Sequence, residues 1–496
     1  VKNWIDRVVS FVSPKAGASR VKARLLEKTL IDISQKRKYE GASTGRRTDG
    51  WLTYGTSASA EVGSALTQLR NRSRDLVRNN PYAARAIQVI SANTVGTGIT
   101  PQIKSKSSKQ AAILSDLWAQ WGETPLCDAD GKNDFYGLQA LVIRTIAESG
   151  AVLIRRRRRR LTDGLPVPMQ IQVMEPDFID LSKEGELDNG GYIVQGIEFN
   201  KLGKVVAFWL YSQHPGDKSL FSVNRTESKR VDAEEIKYIF RGGRPGQIHD
   251  VPWISPAIIK LRDFDEFEDA QLVRQKIAAC FSAFVQDSES PTDQTSAEAD
   301  FGDTLEPGLI KVLPPGKQIT FPTPPGVSGY GEFTTIVLRS VAIALGITYE
   351  QLTGDYSTVN FSSGRMGWIE VSRNIAQWQW QIMIPGACVP VMAWFFEAAE
   401  LAGYKVADAY AVWTPPRREM IDPKTEITAI KDAIRSGIKT LPEALREQGY
   451  DPETFFAEYA EATKLIDKYK LVLDSDPRNV AINGGKQPEN QGGASV

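Results

Sequence analysis

The sequence predicts an α+β chain with its strands concentrated in the first half. Three observations carry that prediction. Apolar residues recur at a helical period over residues 64–94 and 135–149. Short strand-like runs, divided by Gly, Asn, Asp and Pro clusters, occupy residues 151–240. From residue 256 onward, long helical stretches dominate. At ~100–200 residues per domain, 496 residues suggest several structural units and are ample to bury a core.

The elements follow in order. Residues 1–50 are basic, with Arg20, Lys22, Arg24, Lys28, Lys36, Arg37, Lys38, Arg46 and Arg47 outnumbering the acids. They read as an extended arm with one or two short helices, ending at a Gly/Ser/Thr-rich joint, residues 41–45. A mixed α and β region spans residues 51–255. Leu66, Leu69, Leu76 and Val77, then Ala83, Ile87 and Ile90, mark two helices divided at Asn79-Asn80-Pro81. Pro81 disfavours helical backbone at Asn80 and can open a new helix. Gly96-Thr97-Gly98 ends the second helix. A helix over 135–149 and strands over 151–154, 169–174, 193–199, 205–210 and 236–240 complete the region.

A long helix is expected over 256–284, with Ser255 as its N-cap and Pro256 in its first turn. Residues 287–330 are turn-rich and acidic, with one strand pair, 309–313 against 318–321. A second helix, 332–345, stops at Gly346. Residues 354–364 form a polar loop. The helix expected over 365–402 carries Trp368, Trp378, Trp380 and Trp394, and Pro385 must bend it. Helices starting at Asp422-Pro423, Leu441-Pro442 and Asp451-Pro452 make an all-helical C-terminal unit. Residues from 474 onward, rich in Gly, Asn and Gln, read as disordered.

Composition narrows the function. Lys and Arg total 60, as do Asp and Glu, so the formal net charge is zero. That balance argues against a nucleic-acid coat or a polybasic membrane binder. Cys127, Cys280 and Cys388 are too few and too scattered for a disulfide framework or a thiolate zinc site. His214 and His249 are the only histidines, so metal sites and acid–base chemistry built on His are poorly supplied. The N-terminal stretch carries charges and is no signal-peptide core. Pro385 and Pro390 break the apolar zone near 382–396 short of the ~20 residues of a membrane span. The chain is read as soluble and made in a reducing cytosol, with no cofactor and no membrane partner.

Candidate motifs mostly dissolve on inspection. Residues 41–45 match G-x-S-x-G, but no strand precedes the Ser as a nucleophile elbow requires, so a flexible joint is the better reading. The stretch from Asp128 to Asp134 begins like a calcium loop. Lys132, Asn133 and Gln139 stand where a ligand, a Gly and a Glu are needed, which leaves a polar turn. The six arginines Arg155, Arg156, Arg157, Arg158, Arg159 and Arg160 are the loudest local signal. In a strand they would face alternately to either side, and a strand so charged is not buried on both faces. Read as an exposed hairpin arm, they meet acidic neighbours across a subunit contact; read otherwise, they contact nucleic-acid phosphates. No aromatic residues interleave to stack on bases, which favours the first. Asp263, Asp265, Glu266, Glu268 and Asp269 spread over a broad face of the helix after Pro256, which by itself reads as a solvated face.

Three segments taken together resemble the lambda-type family of phage portal proteins. The first runs from Arg72-Ser73-Arg74-Asp75-Leu76-Val77-Arg78-Asn79-Asn80-Pro81-Tyr82-Ala83 into Asn93-Thr94-Val95-Gly96-Thr97-Gly98-Ile99. The second is Leu345-Gly346-Ile347-Thr348-Tyr349-Glu350-Gln351-Leu352-Thr353-Gly354-Asp355, then Asn360-Phe361-Ser362-Ser363-Gly364-Arg365. The third is Trp413-Thr414-Pro415-Pro416, then Ile421-Asp422-Pro423-Lys424-Thr425-Glu426. No single motif is catalytic; the likeness rests on their order across roughly residues 50–470.

The resemblance implies a portal fold, with an α/β wing, two stem helices, a small β clip, a long kinked wing helix and a helical crown. It implies a basic arm over 1–50, wing over 51–255, first stem helix over 256–285, clip over 286–330 and second stem helix over 331–346. A tunnel loop over 352–364, the kinked helix over 365–414, the crown over 415–473 and a tail over 474–496 would follow. The protein would form a homo-oligomeric ring, typically of twelve subunits, at one capsid vertex, assembled in the host cytoplasm. Double-stranded DNA would pass through its channel during packaging and ejection. The terminase large subunit would dock on it, then a head–tail adaptor, with the major capsid protein around it. Ser357, Thr358, Asn360, Ser362 and Ser363 would face the DNA, and Asp263, Asp265, Glu266, Glu268 and Asp269 become candidate channel-lining acids. Arg155 to Arg160 would serve subunit or capsid contacts. No enzymatic activity is expected; a non-catalytic minor capsid or scaffold protein is the alternative, and a DNA-processing enzyme a more distant one.

Overall fold

The computed structural model describes residues 58–217, 227–280, 284–287, 317–320, 329–416, 420–471 and 473, with isolated positions before residue 58. Two units are distinguished, Val1–Ser57 and Ala58–Val496. In the first, Lys22, Ala23 and Leu26 are helical. The Gly/Ser/Thr joint at 41–45, nearly all of the acidic region 287–330 and the tail from 474 lie outside the described residues.

The second unit opens with α1 (Ala58–Asn79) and α2 (Pro81–Val95). Asn80 divides them as expected. Its backbone is extended, and its side-chain oxygen accepts from the N–H groups of Tyr82 and Ala83, both at 3.0 Å, which caps α2. A strand and a helix follow that the sequence reading did not anticipate, β1 (Thr100–Lys104) and α3 (Ser108–Gly122). α4 (Phe135–Ser149) matches its expected bounds, capped by Asp134 and closed by Gly150 in the left-handed region. Gly150 is required there, since a Cβ would lie 2.3 Å from the Asp250 carbonyl oxygen. Trp118 of α3 meets Trp121, Phe135 and Phe395 edge-on, with centroids 5.1–5.5 Å apart.

The strands form antiparallel sheets. β2 (Ala151–Arg158) runs four residues beyond its expected end, into the arginines, and β3 (Met169–Met174) pairs with it as a hairpin. A meander follows: β4 (Gly185–Glu186), β5 (Tyr192–Val194), β6 (Ile197–Phe199), β7 (Val205–Tyr211) and β8 (Ser228–Asp232). The single strand expected over 193–199 is in fact two. Gln195 and Gly196 both take positive φ, 49° and 78°, and fold the chain back as a tight hairpin. β9 (Ile236–Phe240) returns to the other side of β2, giving the order β3-β2-β9.

The second half is helical. Ser255 is not an N-cap: residues Ser255–Ala257 form a 3₁₀ turn preceded by Ile254, and the Ser255 hydroxyl is buried without a hydrogen-bond partner. α5 (Ile258–Cys280) leads to β10 (Phe284–Asp287), which pairs with β11 (Lys317–Thr320). The observed partner of β11 is thus β10, and the expected partner, 309–313, lies outside the described residues. α6 (Tyr330–Leu345) returns beside α5, with Phe267 packed on Phe333 at 4.6 Å and on Tyr330 at 5.9 Å.

α7 (Tyr349–Thr353) and α8 (Phe361–Gln377) follow, and α8 continues through Trp378–Cys388 into α9 (Val389–Leu401). Pro385 removes one backbone donor, and residues 378–388 respond with π-helical hydrogen bonding. By length and hydropathy the run Phe361–Leu401 could cross a membrane, despite the two prolines. Here it is the central helix of the core, with Met383, Cys388, Val391 and Phe395 fully buried. β12 (Tyr410–Thr414) pairs with β1 across more than 300 residues. α10 (Pro423–Arg435), α11 (Leu441–Glu447) and α12 (Pro452–Lys468) start at Asp422, Thr440 and Asp451, whose side chains accept from the first-turn amides.

Two hydrophobic cores result. The larger joins α2, α3 and α4 to α5, α6 and the long helix, and it takes Val152 and Ile154 from one face of β2. The smaller takes Leu153 from the other face and packs it with Met174, Ile179, Ile197, Phe208 and Leu210. β2 is therefore the partition between the cores, and the alternation of a strand assigns its side chains to one or the other.

Candidate functional site

The polar loop is shorter than expected. α7 ends at Gly354 (φ 74°) and α8 begins at Phe361, so the irregular backbone covers residues 354–360. Asn360 accepts from the Ser363 N–H at 2.9 Å, and the Ser363 hydroxyl accepts from the Asn360 N–H at 3.1 Å. Ser362 and Ser363 thus belong to the first turn of α8, a correction to the loop expected over 352–364. Ser357, Thr358, Asn360, Ser362 and Ser363 are all exposed, as are Tyr356 and Phe361. Both flanks are anchored. Leu352 is buried, Arg85 of α2 donates to the Gln351 carbonyl at 3.3 Å, and Asn374 of α8 donates to the Gly346 carbonyl at 3.0 Å. Within the loop, Asp355 accepts from the Ser357 N–H at 3.0 Å, and hydrogen bonds from Ser357 hold its carboxyl below the usual range.

The five acids of α5 divide by direction. Asp263, Glu266 and Asp269 are exposed, with Glu266 paired to Arg262 one turn back at 3.1 Å. Asp265 and Glu268 face the neighbouring helices instead. Asn80 donates to Asp265 at 3.0 Å, so the residue that caps α2 also ties it to α5. Tyr330 of α6 lies 3.4 Å from Glu268, whose pKa burial raises. Three of the five are therefore exposed and two are partly covered by neighbouring helices.

The arginine strand is sorted by the same alternation. Arg156, 6% exposed, lies in the larger core. It donates to both oxygens of Glu235 at 2.9 and 2.7 Å and to Glu397 of α9, with its guanidinium over the Trp394 ring. Arg158 shares Glu235 at 2.7 Å. The hydrogen bonds from Arg156, then those from Arg158, hold the Glu235 carboxyl down to about 2. Within the chain, the acidic neighbours of these two arginines are Glu235 and Glu397. The opposite face differs. Arg157 donates to Gln172 at 2.9 Å and Arg159 to Gln170 at 2.8 Å, both neutral. Arg160 forms no salt bridge among the described residues; its backbone N–H donates to the Asp163 carboxylate at 2.9 Å.

Two further clusters bear on cation binding. The Asp128 carboxylate accepts the N–H groups of Asp130, Lys132 and Asn133 at 3.0–3.1 Å, so the loop is organised by backbone amides around the acid. Glu175, Asp177 and His214 bring three ligand atoms within 4.8 Å of one another. The Arg74 guanidinium contacts both carboxylates there and supplies the positive charge.

Sequence reasoning missed Glu235 and Glu397 because they lie 79 and 241 residues from Arg156. The pairing of Asn80 with Asp265 was equally remote. The cap formed by Asn360 and Ser363, by contrast, is spelled out locally as Asn-x-x-Ser before an apolar helix.

Comparison with known proteins adds a second line. The sequence model of the family described as "Phage portal protein, lambda family" matches residues 44–379. The "Probable portal protein" of Halomonas phage phiHAP-1 is 26% identical over 472 residues, covering 90% of this chain and 89% of its own. "Portal protein B" of Escherichia phage lambda is 20% identical over 483 residues, covering 85% of this chain and 88% of its own. A chain in the neck of a native gene transfer agent particle, computed with C12 symmetry, aligns at a TM-score of 0.46 and 15% identity, covering 82% of this chain and 99% of that one. The family match takes in the mixed region, α5, α6 and the polar loop, and the chain belongs to the lambda family of phage portal proteins.

Proposed function

We propose that this portal protein assembles as a closed ring of about twelve subunits at one vertex of the capsid, and that its channel carries double-stranded DNA into and out of the particle. The observation that carries the reading is the family match over residues 44–379. In this reading the mixed region up to residue 255 is the wing, α5 and α6 are the stem, β10 and β11 belong to the clip, and the helix Phe361–Leu401 is the kinked wing helix. The helices from 423 to 468 are the crown. The terminase large subunit and later a head–tail adaptor engage the ring, and the major capsid protein surrounds it. The chain acts as a structural element and not as an enzyme.

Physical features support the stem assignment. α5 and α6 pack against each other by one face each and leave Ile259, Val273, Ile336 and Ile343 exposed, between 53% and 79%. Such apolar positions on two outward faces suit lateral contacts between copies. Asp263, Glu266 and Asp269 beside them would repel phosphates, which keeps a translocating duplex from sticking. The loop 354–360 supplies Ser357, Thr358 and Asn360 for weak contacts that read no sequence, with Ser362 and Ser363 at its edge.

The test is a shortened loop. Deleting Thr358 and Val359 while keeping Asn360 leaves the α8 cap intact. We expect normal rings and proheads with a loss of packaged or retained full-length genome. Wild-type yields of full-length DNA from that variant would refute the assignment of the loop to the channel.

A further inference from the structure

We propose that the odd-numbered face of β2 and the residue that follows it is a docking site for an acidic protein segment in extended conformation, with one carboxylate seated between Arg155 and Arg157 and the next between Arg157 and Arg159. The argument starts from the contrast between the two faces of one strand. On the even face, Arg156 and Arg158 share Glu235 and Glu397. On the odd face, no carboxylate lies within salt-bridge distance of Arg155, Arg157 or Arg159 among the described residues. What holds these guanidiniums is neutral: Gln172 for Arg157 and Gln170 for Arg159. Gln170 is itself fixed, since its amide nitrogen donates to the carbonyls of Leu126 and Asp128 at 3.0 and 2.9 Å. Arg157 and Arg159 are thus oriented by neutral partners, and Glu235 and Asp130 act on Arg155 and Arg157 only from beyond ion-pair distance, which is the arrangement of a preformed anion site.

The surroundings select the anion. Arg155 and Arg157 are half-buried and line a cleft of about 330 Å³ with Gln172, Met174, Phe178 and Tyr211. Burial lowers the pKa of both, and for Arg157 the like charges of Arg155 and Arg159 lower it further. A partner anion would relieve both effects. A cleft this small admits one or two side chains and excludes a nucleic-acid duplex. Alternate residues on a strand lie about 6.6–6.8 Å apart. Acid-x-acid in an extended segment has the same spacing, so its carboxylates match the arginines in register.

The experiment uses the full chain and two fluorescent probes, an eight-residue peptide of alternating Glu and Thr and a short DNA duplex, read by anisotropy at low and near-physiological salt. The double variant Arg155→Gln/Arg157→Gln should weaken peptide binding at least about tenfold, since each charged hydrogen-bonded contact contributes on that scale. Arg158→Gln, on the even face, should leave it within about twofold. Duplex binding should not respond to the double variant. If that variant fails to fold, Arg159→Gln alone carries the same expectation with a smaller loss. Absence of peptide binding by the wild-type chain, an unchanged affinity in folded variants, or a loss confined to the duplex would each overturn the proposal. Ring formation, read in parallel by native mass spectrometry, separates this failure from failure of the ring reading: intact rings that do not take the peptide defeat only the docking site.

Discussion

Arg156 joins two carboxylates at a site nearly closed to solvent. Its side chain is 5% exposed, and it holds Glu235 and Glu397 together. Replacing it with Met would leave Glu235, partly buried, with Arg158 alone, a loss of charged hydrogen bonds that costs about 1–3 kcal/mol. Arg158, 55% exposed on the same carboxylates, should cost less than about 1 kcal/mol as Arg158→Gln. Urea unfolding of the two variants measures the difference. His249 makes a pH-dependent contribution. It is fully buried, with Nδ1 2.7 Å from the Tyr238 hydroxyl and Nε2 3.1 Å from the Gln195 carbonyl. Burial, then the charge of Arg70, lowers its pKa to about 4 from 6.5. Between those values the unfolded chain binds the proton and the folded chain does not, so stability falls as pH drops from about 6.5 to about 4. His249→Asn should flatten that slope by up to one proton, about 1.4 kcal/mol per pH unit. An unchanged slope would place the proton elsewhere.

At the scale of elements, the two helix junctions differ in how much the sequence declares. Asn80 declares its role: an Asn before a Pro at a helix start is a cap. Asn80→Ala should cost about 1–2 kcal/mol from the cap alone, and more because Asp265 loses its donor. Thermal unfolding of this variant against Asp265→Asn separates the two losses. The same local chemistry made Gly346, Asp422 and Asp451 legible. The helix α3 was also written locally, in Ser107 followed by Leu114, Leu117, Trp118 and Trp121 at helical spacing, and was passed over. β1 is different in kind. It contains Pro101 and pairs with β12, so nothing near it in sequence announces a strand. The split at Gln195-Gly196 was hidden because Gln rarely takes positive φ and masks the turn. Of the candidate site, the position and exposure of the loop hydroxyls were legible. Which acids of α5 turn inward, and which arginines are neutralised, depended on partners far along the chain.

Across the molecule as a whole, two outward helix faces share one role in the proposed ring. α5 and α6 close the core with one side and present Ile259, Val273, Ile336 and Ile343 on the other. A single copy leaves these apolar positions in water, whereas the proposed ring would bury each against a neighbour by the same rotation repeated until it closes. The double variant Ile336→Glu/Ile343→Glu should therefore leave the fold intact, since both side chains are exposed in the monomer, and yet block assembly. Electron microscopy of the purified protein, at micromolar concentration and near-physiological salt, is the deciding test of ring assembly. The account predicts closed rings of uniform subunit number with a central opening for wild type, and their loss in the double variant. Discrete monomers or dimers of folded wild-type protein would contradict it.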